Sequence, residues 1–287
     1  MSSVINTNIM SLQTQNALRM NDNMMQTAMQ RLSTGLRINS AKDDAAGLAI
    51  TDRMTSQING SNVAAQNAND GISMAQTAEG AMGSLTSTMQ RMRDLATQAA
   101  NGTNSASDRD NLNTEFQQLK SELTRIITNT QFNQKSVLAG SLTGSAGKFQ
   151  VGANTTADNQ INFSIANQAT AGTASGGIKS ILAAGVSIGG AATNAQILSA
   201  MNIIDKSIGS VDTTRAKLGA VQNRFQVTIN NLNTFVVNQS QARSRILDTN
   251  FAQETSNLSK AQILQQAGNA MLTQANQAPQ SVLTLLR

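Results

Sequence analysis

A chain of 287 residues has room for two domains, yet only 39% of it is hydrophobic and 2% aromatic, with no Trp and no Tyr. That is thin material for one large globular core and sufficient for narrow seams between helices, which Ala, Leu, Ile and Met fill. With no histidine and no cysteine the commonest metal ligand, the commonest general base and the thiol nucleophile are all missing, and a net charge of +5 spread without a Lys/Arg run argues against nucleic-acid binding.

The opening MSSVINTNIMSLQ has no basic segment followed by an apolar run, so it does not read as a Sec-type signal. No stretch approaches the ~18 apolar residues of a spanning helix, and no membrane partner is expected. Leu18, Met25 and Leu32, with Met29 and Leu36 offset by four, form an a/d seam over the first helix. Gly35 is its expected stop. Ser40 and Asp43 have capping-box spacing before Ala45–Ile50, so a second helix is expected from near residue 43. Ala68, Ile72, Ala75, Met82, Leu85, Met89, Met92 and Ala96 continue it until Asn101–Gly102 and the Ser/Asn cluster break it. Leu112, Phe116, Leu119, Leu123 and Ile126 mark a third helix, which makes 43–128 a helical hairpin.

The composition then changes: between Lys135 and Asp205 the only charged residues are Lys148, Asp158 and Lys179. Phe149–Val151 and Ile161–Ile165 alternate apolar and polar about a turn-rich link, which predicts a β-hairpin near 149–165. The Gly/Ala/Ser-rich stretch 166–194 reads as a loosely structured surface segment. From about 194–202 to about 240 a long helix is expected, its apolar stripe running through Ile204, Ile208, Val211, Leu218, Phe225, Ile229, Leu232, Val236 and Ile246, with Arg215, Gln222, Gln239 and Arg243 at the skipped seam positions. A last helix is expected over roughly 250–277, ending before Pro279. The fold class is therefore mainly α, a long antiparallel coiled-coil hairpin or bundle with a small β-hairpin and with both termini helical and paired.

No catalytic, cofactor or metal site is expected. Asp43–Asp44, the one adjacent carboxylate pair, reads as helix capping. Gly140, Gly144 and Gly147–Lys148 have the wrong spacing for a phosphate loop, and Phe149 stands where Ser/Thr would bind magnesium. The methionines at 82, 89 and 92 read as core.

Arg31–Leu32–Ser33–Thr34–Gly35–Leu36–Arg37–Ile38–Asn39–Ser40–Ala41–Lys42–Asp43–Asp44 and the following Ala45–Ile50 closely resemble the N-terminal signature of bacterial flagellin. Asn67–Ser73, Thr130–Asn133, Gln150–Asn154, Leu218–Phe225, Ser259–Gly268 and the ending Leu283–Arg287 agree in order. The resemblance covers about 1–165 and 195–287. One pattern departs: after Arg243–Ser244–Arg245–Ile246 the family has an acidic residue and Asp-Ala-Asp, and this chain has Leu247–Asp248–Thr249–Asn250.

The resemblance implies a filament subunit without outer variable domains. It implies an inner coiled-coil domain from 1–42 with 243–287, and a rod domain from 43–165 with 195–242, the segment 166–194 replacing the outer domains. The expected partners are further copies of the chain, an export chaperone and the type III export apparatus, filament cap and junction proteins, and host innate immune receptors. The expected location is the extracellular filament, after secretion. The residues expected to pack the filament core are Ile5, Ile9, Leu12, Leu18, Met25, Leu32, Ile263, Leu264, Met271 and Leu272. The family's receptor patch maps onto Gln90, Arg91, Leu95 and Glu115, and its C-terminal sensor motif onto Leu283, Leu285 and Leu286. Amphipathic ends with narrow seams bury too little to offset ordering entropy, so residues ~1–40 and ~245–287 are expected to fold on assembly. The rival readings are a hook–filament junction protein and a secreted type III translocator-like helical protein.

Overall fold

The computed structural model describes residues 7–140, 142, 147–168, 177–183 and 185–285. Contacts divide the chain into two compact units, Met1–Gln57 with Val237–Arg287, and Ile58–Val236.

Helix α1, Ile9–Thr34, starts at Asn8, whose side chain accepts from the Ser11 N–H. It ends at Gly35, left-handed at φ 73°, whose N–H donates to the Arg31 carbonyl. Helix α2, Ala45–Ala99, runs for 55 residues with no proline to interrupt it. Its cap is Asp44 rather than Ser40: Asp44 Oδ1 accepts from the Gly47 N–H at 2.8 Å. Asp43 instead closes the preceding turn, accepting from the Asn39 and Ser40 N–H groups and the Ser40 hydroxyl. Those bonds, the Asn39 N–H first, hold its carboxyl below the usual range. Many serines and threonines along the helices return their hydroxyls to the carbonyl four residues back, as Ser73, Thr77 and Thr86 do, which gives each hydroxyl a local partner within the helix. Helix α3, Ala106–Asn129, opens with a complete capping box between Ser105 and Asp108.

Two-residue strands β1 (Gln131–Phe132) and β2 (Lys135–Ser136) pair antiparallel about Asn133 and Gln134, both at positive φ. The predicted hairpin is β3 (Lys148–Gln150) against β4 (Gln160–Asn162), in the register Phe149 opposite Ile161. Helix α4 is Ile178–Leu182, α5 is Asn194–Leu247 and α6 is Phe251–Leu285.

In the Ile58–Val236 unit, α2 contributes Met82, Leu85, Met89 and Met92 to one core, α3 contributes Phe116, Leu123 and Ile127, and α5 contributes Ile197, Ile204, Val211 and Leu218. A second cluster joins Ala68, Val151, Ile161, Phe225 and Ile229. There Phe149 meets Phe225 edge-on, with centroids 5.5 Å apart. The Phe225 ring lies so close to α2 that a Cβ at Gly71 would stand 2.6 Å from its Cζ. Polar residues of the α5 stripe bond across the seam: Gln222 donates to Glu79 at 2.9 Å.

Two expectations are corrected. The described parts of 166–194 are docked, not a loose surface segment. Ile178, Ile181, Val186 and Ile188 are buried, Asn113 Oδ1 accepts from the Ser187 hydroxyl and the Ile188 N–H, and Asp110 accepts from the Gly190 N–H. Four spaced apolar anchors suffice, although small polar residues dominate the composition. The second correction is that α6 does not stop before Pro279 but continues to Leu285. Proline lacks the N–H that would reach the carbonyl of Ala275, four residues back. Asn8 Nδ2 fills that vacancy, donating to the Ala275 carbonyl at 2.7 Å.

Candidate functional site

The first candidate surface is the pair α1 and α6 in the terminal unit. They run antiparallel, because rising positions on one bond falling positions on the other: Ser11 to Asn276 at 2.8 Å, Asn21 to the Ala261 carbonyl at 2.7 Å, and Arg31 to Glu254 at 3.5 Å. Gln265 also donates to Asp22 at 3.1 Å. The buried residues of the pair are small or polar: Ser11, Asn21, Ala28, Glu254, Ala261 and Ala275. At Gly268 the helices approach so closely that a Cβ would come within 2.6 Å of Leu18 Cδ2.

Most of the large apolar side chains point the other way. Ile9, Met10, Leu12, Met20, Met24 and Met29 are exposed on α1, and Phe251, Ile263, Leu264 and Met271 on α6, Ile263 to 66%. Of the residues expected to pack a filament core, Leu18, Met25, Leu32 and Leu272 are half-buried, while Ile9, Leu12, Ile263, Leu264 and Met271 are exposed. Ile5 lies outside the described residues. A groove of about 370 Å³ beside the Arg31–Glu254 pair is lined by Met24, Thr27, Ala261 and Leu264 among others. A helix pair that is polar within and apolar without leaves its main hydrophobic area uncovered.

In the same unit the departure from the family pattern sits at a main-chain join. Leu36 and Asp248 form an antiparallel bridge, the Arg37 N–H donates to the Leu247 carbonyl, and the Thr249 N–H to the Gly35 carbonyl. Arg37 also donates twice to the Ile246 carbonyl. The main-chain bonds of this join do not depend on which side chains stand at 247 and 249, although the Thr249 hydroxyl is buried there without a hydrogen-bond partner among the described residues.

The second candidate surface lies on α2 and α3. Gln90 is exposed. Arg91 Nη2 lies 2.8 Å from Glu115 Oε1, and both side chains are open to solvent. Leu95, predicted as a surface contact, is only 1% exposed and belongs to the core. It sits one helical turn beyond Arg91, and the core stripe claims it. The sequence reading missed the neighbouring pair of Arg93 with Asp205, at 2.6 Å, which raises the Arg93 pKa through its hydrogen bond. Side chains of Leu283 and Leu285, and Leu286 altogether, lie outside the described residues.

Among the described residues no cluster of His, Cys, Asp and Glu could hold a metal ion, and no helix is long and apolar enough to cross a membrane.

Comparison with known proteins gives the geometry its context. Residues 5–143 match the bacterial flagellin N-terminal helical region, and residues 201–286 the bacterial flagellin C-terminal helical region. The chain is 43% identical over 284 residues to a flagellin of Halalkalibacterium halodurans, covering 99% of this chain and all of that one. It is 42% identical over 302 residues to a flagellin of Bacillus subtilis, covering 99% of each. A solved Vibrio parahaemolyticus structure, described as a flagellar hook-associated protein, aligns with a TM-score of 0.58 over 72% of this chain and all of that one, at 15% identity, a likeness of fold alone. Matched at both ends by flagellin helical regions and along its length by flagellins, the chain belongs to the bacterial flagellin family and is a structural filament subunit.

Proposed function

We propose that the subunit polymerises through the apolar outer faces of α1 and α6. The observation that carries this is the inverted polarity of the pair, with Asn21 and Ser11 inside and Ile263, Leu264, Met271, Ile9 and Leu12 outside. Covering a half-exposed side chain of this size contributes on the order of 1 kcal/mol, so ten of them supply a driving force that the lone pair lacks. The faces meet heterologously, one surface on a different surface, which generates an open helix rather than a closed ring. On this reading 1–42 with 243–287 form the inner domain of the filament, and 43–165 with 195–242 the rod, with 166–194 in place of outer domains. Ile5, Leu18, Met25, Leu32 and Leu272 complete the inner packing. The terminal segments order as they assemble, which keeps the subunit slender for secretion by a type III apparatus with its chaperone. Cap and junction proteins bound the polymer. The role is structural, with no catalytic step.

Electron microscopy of the purified chain, before and after ammonium sulfate with short seeds, tests this reading. Long uniform filaments are expected. Persistent monomer despite seeds would favour a junction protein, which caps rather than propagates.

A second reading concerns host receptors. Exposed Gln90, and the Arg91–Glu115 pair, offer a polar patch that an innate immune receptor would read, with Leu95 supporting it from the core. Leu283, Leu285 and Leu286 would serve a cytosolic sensor. The Arg91→Ala variant should lose receptor signalling while its filaments remain; unchanged signalling rejects the patch.

A further inference from the structure

The turn between α2 and α3 holds a reactive step that the helices beside it do not. The sequence contains two Asn–Gly steps, Asn59–Gly60 and Asn101–Gly102. The first lies within α2, where the Gly60 N–H belongs to the helical ladder and the backbone is fixed. The second follows the end of α2 at Ala99, and both of its residues are exposed. There the Asn101 N–H donates to the Gln98 carbonyl, and the Asn101 carbonyl accepts from the Asn104 N–H. Asn101 Oδ1 accepts from the Thr103 N–H at 3.4 Å. That bond turns the carboxamide oxygen back along its own backbone toward Thr103 and polarises its carbonyl. The Gly102 N–H has no hydrogen-bond acceptor among the described residues, and the space a side chain would fill is open.

The geometry points to Asn101 as a site of spontaneous deamidation. The Gly102 nitrogen, after losing its proton to hydroxide, attacks Asn101 Cγ. The N–Cγ bond forms, the Cγ–Nδ2 bond breaks, and Nδ2 leaves as ammonia after taking a proton from water. Water then opens the succinimide at either carbonyl, leaving aspartate or isoaspartate. Nothing is oxidised or reduced, and water is the only co-reactant. Each event adds a carboxylate just beyond the carbonyl end of α2, where the helix dipole disfavours it. Isoaspartate also inserts a methylene into the main chain of the turn that the Asn104-to-Gln98 side-chain bond braces at 2.7 Å. The modified fraction of a population of molecules therefore rises with its age.

The test ages the full chain at neutral and mildly alkaline pH and follows both asparagines by peptide-mapping mass spectrometry that separates aspartate from isoaspartate. Product should accumulate at Asn101 faster at higher pH. Asn59 in the same molecules should lag by at least about tenfold, the ratio that ~1.4 kcal/mol of helix-opening cost produces. The Gly102→Ala variant, whose methyl meets open space, should keep its circular dichroism and slow at Asn101. Equal rates at Asn59 and Asn101 in the folded chain would overturn the proposal. So would an unslowed Gly102→Ala variant, or an Asn101 that stays intact when folded and reacts only in the heat-unfolded chain.

Discussion

Asn8 and Pro279 illustrate how one missing donor is replaced by another. Pro279 removes a helical hydrogen bond, and the Asn8 carboxamide takes the freed Ala275 carbonyl. The two residues should therefore couple. In assembled polymer, Asn8→Ala should cost about 1 kcal/mol, read as a lower disassembly temperature, and should cost almost nothing beside Pro279→Ala, where the new N–H serves the same carbonyl. Additive effects would contradict the exchange. Asp108 is a second case. The Ser105 hydroxyl first, and then the Ser105 N–H, hold its carboxyl below the ordinary 3.8. A carboxyl lowered in the folded state stabilises above its unfolded value, and that contribution is lost as pH falls through the folded value. The α3 cap should thus loosen in acid below about 3.8. Ser105→Ala should move the Asp108 midpoint up toward 3.8 in a carboxyl-resolved NMR titration, and an unmoved midpoint would dissociate the shift from the capping box.

Elements were legible where local chemistry and periodicity agree. Gly35, the turn at Asn101, and the stripe from Ile204 to Ile229 each state a boundary or a face, and the structure has them there. The hairpin at β3 and β4 was visible because alternation flanks a turn-rich link. Strands β1 and β2 are two residues each, too short to carry a period, and they are set by the tight turn at Asn133 and Gln134, both at positive φ, and by their antiparallel pairing. Capping by Asp44 instead of Ser40 was hidden because two adjacent acids offer the same chemistry one residue apart. The anchors Ile178, Ile181, Val186 and Ile188 were masked by small neighbours, since burial there depends on α3 groups far along the chain. Leu95 shows the same limit for the site: the family motif marks it, and the three-dimensional stripe buries it. Among the elements, the α2–α5 packing at Phe225 has the clearest cost. Phe225→Ala removes a fully buried ring wedged against Gly71 and Phe149, and should lower the stability of the Ile58–Val236 unit by about 3–5 kcal/mol in denaturant unfolding. A loss below about 1 kcal/mol would mean that the site collapses freely.

For the molecule as a whole, the sequence places two amphipathic ends in one chain, and the structure pairs them with their polar residues inside. The periodic seam predicted paired ends. It did not reveal which side of the pair is dry, because Asn21 and Ser11 look like surface residues until the close packing of Leu18 on Gly268 is seen. The large apolar residues left outside define the surface through which, on the proposed reading, a copy of the same chain packs. Ile263→Asp, at a position 66% exposed, should leave the helical content of the monomer unchanged and abolish sedimentable polymer. Normal polymer from that variant would remove Ile263 from the interface.

The measurement that bears most directly on the account is amide hydrogen exchange over α1 and α6, compared between monomer and polymer. Assembly through their outer faces, coupled to their ordering, predicts fast exchange in the monomer and strong protection in the polymer, with the α2–α3–α5 core protected in both. Equal protection of α1 and α6 in the two states would contradict it.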